Sequence, residues 1–376
     1  MKKAITILLS LLMLGAVGFG VWRSYHAKQN PGAQSAAPLG DLIPQKAVPQ
    51  QTVKLLTGSA KFALLQDAEL SALLRKNGIT LELKKSGNFE QDKSLVEQLD
   101  AVWPAGANQA ADWQELIAGN KAFLVMSSPL TIASWRALLP VLEKNGLAKS
   151  TGNAHGDFYL DKALPLMLEG KRWNQLQDNT VFAVNRSFLI NTPDIRKSNT
   201  AAQYIAALAY IRNNSEVPQK REKALELAKE LAPLITRQGF QEGTLAGPFE
   251  DYLGQGMGKA PMVLVYESQF LEARRAQKLR DAHLLYYPQP GMVLKHILVA
   301  KTEGGKKLGE LLANNIEIQK IIAKYGFRTN DPALFAAQAK ELGLDAPEIL
   351  NQADAPGSAI LDAMVQHIID TMENRS

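Results

Sequence analysis

No cysteine occurs among the 376 residues of the chain. Its absence excludes a disulfide framework, a thiolate nucleophile, a zinc site with thiolate ligands and the cysteine to which a lipoprotein anchor is attached. Histidine is scarce as well, because the five present are scattered along the sequence and do not form the cluster that a histidine-rich metal site requires. We therefore expect neither a metal nor another cofactor.

A concentrated positive charge is also missing from most of the chain. The net charge is +5, but Lys2, Lys3, Arg23 and Lys28 lie in an N-terminal segment without acidic residues. Without those four, 38 basic residues remain against 37 acidic ones, which is a net charge of +1. Nucleic-acid-binding proteins gather basic residues on one face or in one tract, so we expect no nucleic-acid partner.

Compact catalytic motifs are absent too. The sequence has neither the Gly-x-Ser-x-Gly turn that presents a nucleophilic serine nor the His-Glu-x-x-His helix of zinc hydrolases. The glycine-rich region at residues 243–258 lacks the Gly-Lys-Ser/Thr ending of a phosphate-binding loop. Adjacent acids such as Glu250 and Asp251 are too common to indicate catalysis. We therefore expect a protein that is not an enzyme.

The N-terminal residues have the pattern of an export signal. Lys2 and Lys3 precede an almost uninterrupted apolar stretch at residues 4–22. That stretch is close to the roughly 20 residues that span a bilayer, so residues 1–24 are predicted to be either a cleaved signal peptide or a retained signal anchor. We favour the anchor, with its basic end in the cytoplasm and the folded part on the periplasmic or extracellular face of the inner membrane. Residues 25–51 are rich in Pro, Ala, Gln and Gly and are predicted to be a flexible linker.

Beyond the linker, short apolar strands alternate with helical patterns. Strands are predicted at residues 53–56, 79–83, 122–126 and 262–266, with helices between them. This alternation predicts an α/β fold with a mostly parallel sheet, whose ligands bind outside the carboxyl ends of the strands. Small polar or acidic residues follow these strand ends, among them Ser59, Gly87, Asn88, Ser128 and Glu267.

Small polar residues also follow the end of one further predicted strand. An apolar run ends at Ile190, a Pro-Asp turn follows, and Ser198, Asn199 and Thr200 open an alanine-rich helical segment. The first-turn amides and the positive end of the helix dipole would suit an anionic or polar ligand group. The alternative is that Ser198 only caps its own helix.

Taken together, these landmarks resemble a known family. The matching segments are Thr57-Gly58-Ser59, Ser86-Gly87-Asn88, Ser128-Pro129-Leu130, residues 193–200, Val265-Tyr266-Glu267-Ser268-Gln269 and residues 318–328. In this order they resemble bacterial extracellular solute-binding proteins of the type II class, the group that includes molybdate and sulfate receptors.

The resemblance implies a two-lobed α/β fold with two hinge crossings and a ligand between the lobes. The crossings would lie near residues 127–130 and 287–290. The first lobe would then comprise residues 52–127 and 290–376, and the second lobe residues 128–289.

The resemblance also implies a ligand-binding set with members on both lobes. Its expected members are Ser59, Gly87, Asn88, Ser128, Ser198, Asn199, Thr200, Tyr266 and Glu267. Asn88 stands where oxyanion receptors usually offer Ser or Thr, and Glu267 would repel an anion, so a polar or cationic ligand stays open. Each residue also has a structural alternative, such as capping a helix for Ser59, core packing for Tyr266, or a surface pair or hinge contact for Glu267.

Two functions follow from this interpretation. The first is an exported receptor that captures a small polar solute or oxyanion and works with the permease of an ABC-type transport system. The second is a membrane-anchored sensing or envelope-assembly module that uses the same fold and contacts an envelope protein.

Retention of the anchor can be tested directly. If residues 4–22 stay attached, N-terminal sequencing of the exported protein should begin at the initiator region, and the protein should fractionate with the inner membrane. A mature N-terminus near residues 19–21 would show instead that the segment is a cleaved signal peptide.

Overall fold

A computed structural model describes residues 49–86, 89, 91–239 and 246–374. The chain from Gln50 onward forms one compact unit. The predicted signal or anchor segment and nearly all of the predicted linker lie outside the described residues. None of the helices in the described ranges is long and apolar enough to cross a bilayer.

The strands and helices alternate along most of the chain, as the hydrophobic pattern predicts. The strands are β1 (Gln51–Thr57), β2 (Ile79–Lys85), β3 (Ala101–Trp103), β4 (Lys121–Trp135), β5 (Ala148–Ser150), β6 (His155–Tyr159), β7 (Met262–Tyr266), β8 (His283–Gln289), β9 (Met292–Ala300) and β10 (Arg328–Thr329). The α-helices are α1 (Phe62–Leu65), α2 (Ala68–Lys76), α3 (Ala107–Leu116), α4 (Leu139–Lys144), α5 (Leu160–Glu169), α6 (Asn199–Arg212), α7 (Arg221–Thr236), α8 (Ala246–Gln255), α9 (Glu267–Arg275), α10 (Glu303–Asn314), α11 (Ile316–Lys324), α12 (Pro332–Glu341) and α13 (Ser358–Glu373). Short 3-10 helices occupy Ser59–Lys61, Gln91–Gln98, Arg136–Leu138 and Trp173–Gln175.

Polar side chains set where several helices begin. Asp67, Ser198, Thr302, Asn315 and Asp331 each precede a helix and accept a hydrogen bond from a backbone N–H of its first turn. Such caps satisfy amides that have no partner within the helix, and each is worth about 1 kcal/mol. The loop-to-helix boundaries are therefore encoded locally.

Among the described residues, ten strands belong to one mixed sheet. Its main order is β2-β1-β3-β9-β4-β8-β6-β5, and β7 and β10 pair with β4 beside that path. The pairs β1–β2, β1–β3 and β6–β8 are parallel, whereas β9, β7, β8 and β10 all run antiparallel to β4 or its neighbours. The 15-residue strand β4 is thus the central strand of the sheet, and it pairs with β7, β8, β9 and β10.

The apolar residues of β4 divide between two separate groups of cores. Phe123 and Val125 pack with β1, α10 and α11 in the first group, whereas Leu130 and Ile132 pack with α5, α6 and α7 in the second. The chain therefore has two lobes, and β4 crosses from one to the other around residues 127–129. The resemblance implies a crossing near residues 127–130, and the exact lobe boundary stays a prediction.

The second crossing lies on β9. Leu298 belongs to the first-lobe core and Leu294 to the second-lobe core, so the change occurs around residues 295–297. The sequence analysis placed it earlier, at residues 287–290. Tyr287 instead packs in a second-lobe core with Val265 and Phe270, because strand β8 lies wholly within that lobe.

The C-terminal helices pack on second-lobe cores. Phe335 and Ala339 of α12 join the core around α9, and Met364 and Ile368 of α13 join the core around α7. The sequence analysis assigned residues 290–376 to the first lobe. This packing favours a second lobe that includes α12 and α13, so the lobe boundary stays a prediction with that revision.

The predicted strand ending at Ile190 is not a regular strand. Ile190 is buried in the second-lobe core, and Asn191 forms a parallel bridge to Val263 of β7. Its N–H donates to the carbonyl of Met262, and its carbonyl accepts from the N–H of Leu264. The segment is therefore fixed beside the sheet and directs the chain towards Ser198.

Candidate functional site

A buried polar cluster lies where the two lobes meet. We call Lys61, His296, Tyr266 and Thr200 the junction cluster. Lys61 ends the 3-10 helix after β1, and His296 lies on β9 at the second crossing. Tyr266 ends β7, and Thr200 lies in the first turn of α6. The cluster thus draws one side chain from the first lobe, one from a crossing strand and two from the second lobe.

Lys61 is a fully buried cation without a matching anion. Its side chain is 0% exposed, and no carboxylate of the described residues lies within 4.0 Å of Nζ. Its polar contact is His296 Nδ1, at 3.3 Å, and the ring of Trp103 lies 5.5 Å from Nζ. Burial lowers the pKa of Lys61 from 10.5 to about 7, because the charged amine is desolvated.

Two hydrogen-bond donors beside Lys61 also lack acceptors. Trp103 and His296 are both 0% exposed, and neither Trp103 Nε1 nor His296 Nε2 has a partner among the described residues. Burial, followed by the charge on Lys61, lowers the pKa of His296 well below its ordinary value, so the imidazole is neutral. A charged Lys61 can only donate to Nδ1, which puts the ring proton on Nε2. Buried donors of this kind cost free energy unless an acceptor is supplied.

The other half of the cluster is a pair that the sequence analysis included. Thr200 Oγ1 and Tyr266 Oη are 3.1 Å apart, and both residues are buried. Burial raises the pKa of Tyr266 to about 12, so its phenol stays protonated and remains a hydrogen-bond donor. The Tyr266 ring meets His296 edge-on at 6.1 Å between centroids, which connects the pair to Lys61.

The remaining predicted residues near the junction have local roles. Ser198 caps α6 by accepting from the N–H of Ala201 at 3.4 Å, as the capping alternative predicts. Asn199 Nδ2 donates to the carbonyl of Ala105 in the first lobe at 2.8 Å. Ser59 is exposed at the start of its short 3-10 helix. Gly87 and Asn88 lie outside the described residues.

Ser128 lies inside the structure at the first crossing. It is 0% exposed, and its Oγ accepts from the N–H of Ser268 and contacts Ser268 Oγ, both at 3.3 Å. These bonds attach the start of α9 to strand β4. The contacts of Ser128 are therefore those of a residue that fixes the crossing.

Glu267 was included among the ligand-binding residues, but its carboxylate is occupied by protein groups. Arg328 Nε donates to Oε2 at 2.7 Å and Arg328 Nη2 donates to Oε1 at 2.8 Å. Tyr287 donates to Oε1 at 2.5 Å. Burial and then the charge on Glu267 raise the pKa of Tyr287 well above its ordinary value, which keeps that phenol protonated. Glu267 thus joins α9, β8 and β10 around the crossing, and its charge is neutralised.

Lys61 and His296 were missed by the sequence analysis. Lys61 follows Gly58 and Ser59 in a polar segment, so its sequence context predicts a solvated side chain. The apolar pattern also predicts a strand at residues 295–299, which contains His296, but nothing in that pattern marks His296 as functional. The one available signal was the alternation of β9, in which His296 shares a face with Leu294 and Leu298 and was therefore predictable as buried.

A cavity of about 50 Å³ lies between α3, α6 and α13, close to the junction. Its polar lining residues include Asn108, Gln109, Asp112, Asn199, Ser358 and Asp362. Gln109 Oε1 and Ser358 Oγ are buried there without partners among the described residues. The volume suits a few water molecules. Helix α13 therefore borders the same inter-lobe region as α3 of the first lobe.

No family model matches the sequence, and no curated protein sequence matches it. Solved structures do match. An ABC transporter from Clostridium perfringens is 12% identical over 85% of this chain and 99% of that one, with a TM-score of 0.52. An ABC transporter substrate-binding protein from Bradyrhizobium japonicum is 14% identical, covering 87% and 98%, with a TM-score of 0.50. A substrate-binding protein from Listeria monocytogenes in complex with cycloalternan is 10% identical, covering 86% and 98%, with a TM-score of 0.50. These similarities confirm the predicted two-lobed, type II periplasmic-binding-protein-like fold.

The structural role of Glu267 can be tested by removing its cation. Arg328→Met should lower the free energy of unfolding by about 3–5 kcal/mol, because a buried carboxylate is left unpaired. Adding Glu267→Gln should recover much of that loss. Lys320→Met is the control, because Lys320 pairs with Glu317 at an exposed site, where ion pairs contribute at most about 1 kcal/mol. Equal losses in urea unfolding for Arg328→Met and Lys320→Met would contradict this role.

The burial of Lys61 predicts a pH dependence of stability. Between pH 7 and 10.5 the unfolded chain binds more protons at this amine than the folded chain does, so stability contributed by this group rises with pH. The contribution is about 1.4 kcal/mol per pH unit at most. Lys61→Met should remove this rise, whereas Lys307→Met, at an exposed position of α10, should retain it. Urea unfolding at pH 6, 7, 8 and 9 measures the difference, and parallel curves for wild type and Lys61→Met would refute the assignment.

Proposed function

We propose that the protein is an exported solute-binding receptor that captures a small polar or anionic ligand between its lobes for an ABC-type transport system. The observation that carries this proposal is the junction cluster, in which a cation without a carboxylate partner is buried between two lobes. The similarity to solved ABC transport proteins of the same fold supports it.

The ligand would contact both lobes at the junction cluster. Lys61 would approach it from the first lobe, and Thr200 and Tyr266 from the second. The exposed Ser59, and Gly87 and Asn88, would complete the first-lobe side, as the sequence analysis predicts. Ser128 and Glu267 would support the crossing without touching the ligand, because their side chains are engaged with Ser268 and Arg328.

Capture would use rotation about the two crossing strands. A ligand that contacts both lobes binds the closed form better than the open form, so it shifts the population towards closure. Strands β4 and β9 are the continuous connections whose twist can absorb such a rotation.

A second function is favoured by helix α13. This helix packs on α6 and α7, and its residues Ser358 and Asp362 border a cavity shared with α3 of the first lobe. A helix at this position would restrict how far the lobes separate. That restriction suits a membrane-anchored sensing or envelope-assembly module, which needs one stable shape more than a capture cycle.

A thermal-shift screen distinguishes the two functions. The full-length protein in mild detergent should be stabilised in a saturable manner by at least one probe among oxyanions, carboxylates, amino acids, sugars and polyamines. A probe at 100 times its Kd stabilises the folded form by about 2.7 kcal/mol. Tyr266→Phe should weaken that probe's binding by about tenfold, whereas Tyr210→Phe, at a partly exposed position of α6, should not.

Two results would contradict the receptor proposal or its site. If no probe stabilises the protein and a stoichiometric envelope protein copurifies with it, the receptor proposal is wrong and assembly is favoured. Equal affinity in wild type and Tyr266→Phe would remove the junction cluster from the ligand site, even if a ligand were found.

A further inference from the structure

We propose that the ligand presents an anionic oxygen group, either a carboxylate or an inorganic oxyanion, which Lys61 binds as an ammonium with uptake of one proton. This inference rests on the proposed receptor function. It goes beyond that function because it names the ligand chemistry and couples binding to pH.

The polar groups around Lys61 are mostly hydrogen-bond donors. A lysine ammonium has three N–H donors, and one of them is directed to His296 Nδ1. The indole of Trp103 has a donor and no acceptor, and the His296 ring then offers Nε2–H. Neither ring nitrogen has a partner among the described residues. The described residues beside Lys61 therefore leave two buried N–H groups without acceptors next to an unpaired ammonium, and an anionic oxygen group would complement these donors.

The charge of Lys61 favours an anionic ligand over a neutral or a cationic one. A neutral sugar would leave a desolvated ammonium without a counter-charge, and a polyamine would add a second cation beside it. The buried carboxylate of Glu267, at the first crossing, is bound by Arg328 Nε and Nη2 and by Tyr287. The charge of Glu267 is thus neutralised by Arg328 within the protein, whereas the charge of Lys61 has no carboxylate partner among the described residues. A bound anion would supply that partner.

The groups of the junction cluster differ in the pH at which they titrate. The titratable residues that face Lys61 are His296 from β9 and, beyond it, Tyr266 from the end of β7. Trp103 from β3 carries no charge. The pKa of His296 lies well below its ordinary value and that of Tyr266 is about 12, so both are neutral between pH 6 and 9. Lys61 is therefore the group of this cluster that changes charge in that range.

The sign of the pH dependence follows. In the free protein the pKa of Lys61 is about 7, and an anion held against the amine would raise it. Above pH 7 binding must therefore add a proton, and the affinity should fall by up to tenfold for each pH unit. Below pH 7 the amine is already charged, so the affinity should change little.

Calorimetry of the full-length protein in mild detergent tests the inference. The anionic probes are sulfate and molybdate for oxyanions and succinate and glutamate for carboxylates, and the neutral and cationic probes are maltose and spermidine. We expect one anionic class to bind, with an affinity that falls 10- to 100-fold between pH 7 and 9. Repeating the titration at pH 8.5 in two buffers of different ionisation enthalpy should show uptake of about one proton.

Substitutions then assign the proton to Lys61. Lys61→Met should weaken anion binding at pH 6 by at least 100-fold. Lys61→Arg should retain binding at pH 6 within about tenfold but lose the pH dependence, because a guanidinium stays charged. Lys307→Met should behave as wild type. The arginine variant keeps the test valid if the methionine variant does not fold.

Failure of this inference differs from failure of the receptor function. Binding of maltose or spermidine with equal affinity in wild type and Lys61→Met would overturn the inference and leave the receptor function standing. Anion binding that does not change between pH 7 and 9 would also overturn it. If none of the probes and no member of the wider solute screen binds, both proposals are wrong.

Discussion

The antiparallel ladder between β4 and β9 is the interaction on which the rest of the structure depends. Its register runs from Lys121 opposite Ala300 to Leu130 opposite Met292, with one irregularity between Leu124 and Met126. Because both strands extend through the two lobes, this one ladder carries first-lobe core residues at one end and second-lobe core residues at the other. His296 occupies the place on β9 where one core ends and the next begins. The junction cluster therefore lies at the point of the ladder where the two cores meet.

The buried residues Glu267 and Lys61, both near that ladder, differ in how their charges are compensated. Glu267 is 0% exposed, and its carboxylate receives two bonds from Arg328 and one from Tyr287. Lys61 is equally buried but has one imidazole nitrogen as its polar neighbour. A buried charge without a partner costs several kcal/mol or loses its proton, so this asymmetry needs a physical compensation. A ligand that supplies the missing acceptor is one compensation, and a partly neutral amine is the other.

The sequence predicted the parts of the structure that are encoded locally. The alternation of strands and helices and the cap at Ser198 depend on residues a few positions apart, whereas the two crossings were expected from the family resemblance alone. Thr200 and Tyr266 were both expected in the ligand-binding set, but their contact with each other was not predicted. The partners of Glu267 and Lys61 could not be predicted in this way, since Arg328 and His296 lie 61 and 235 residues away. Hydrophobic period shows that a side chain is buried but does not show which distant group it meets.

Helix α13 and the capture cycle are compatible if the helix moves with the second lobe. Its apolar residues Leu361, Met364 and Ile368 pack on second-lobe helices, whereas its border with the first lobe is the polar cavity. The direct bonds between lobes that the described residues make near it include Asn199 to Ala105 and Gln203 to Asn108. Bonds of this kind contribute about 1 kcal/mol each when water can replace the partner. If α13 moves with the second lobe, opening would break its contacts across that cavity, and those contacts are what would restrict how far the lobes separate.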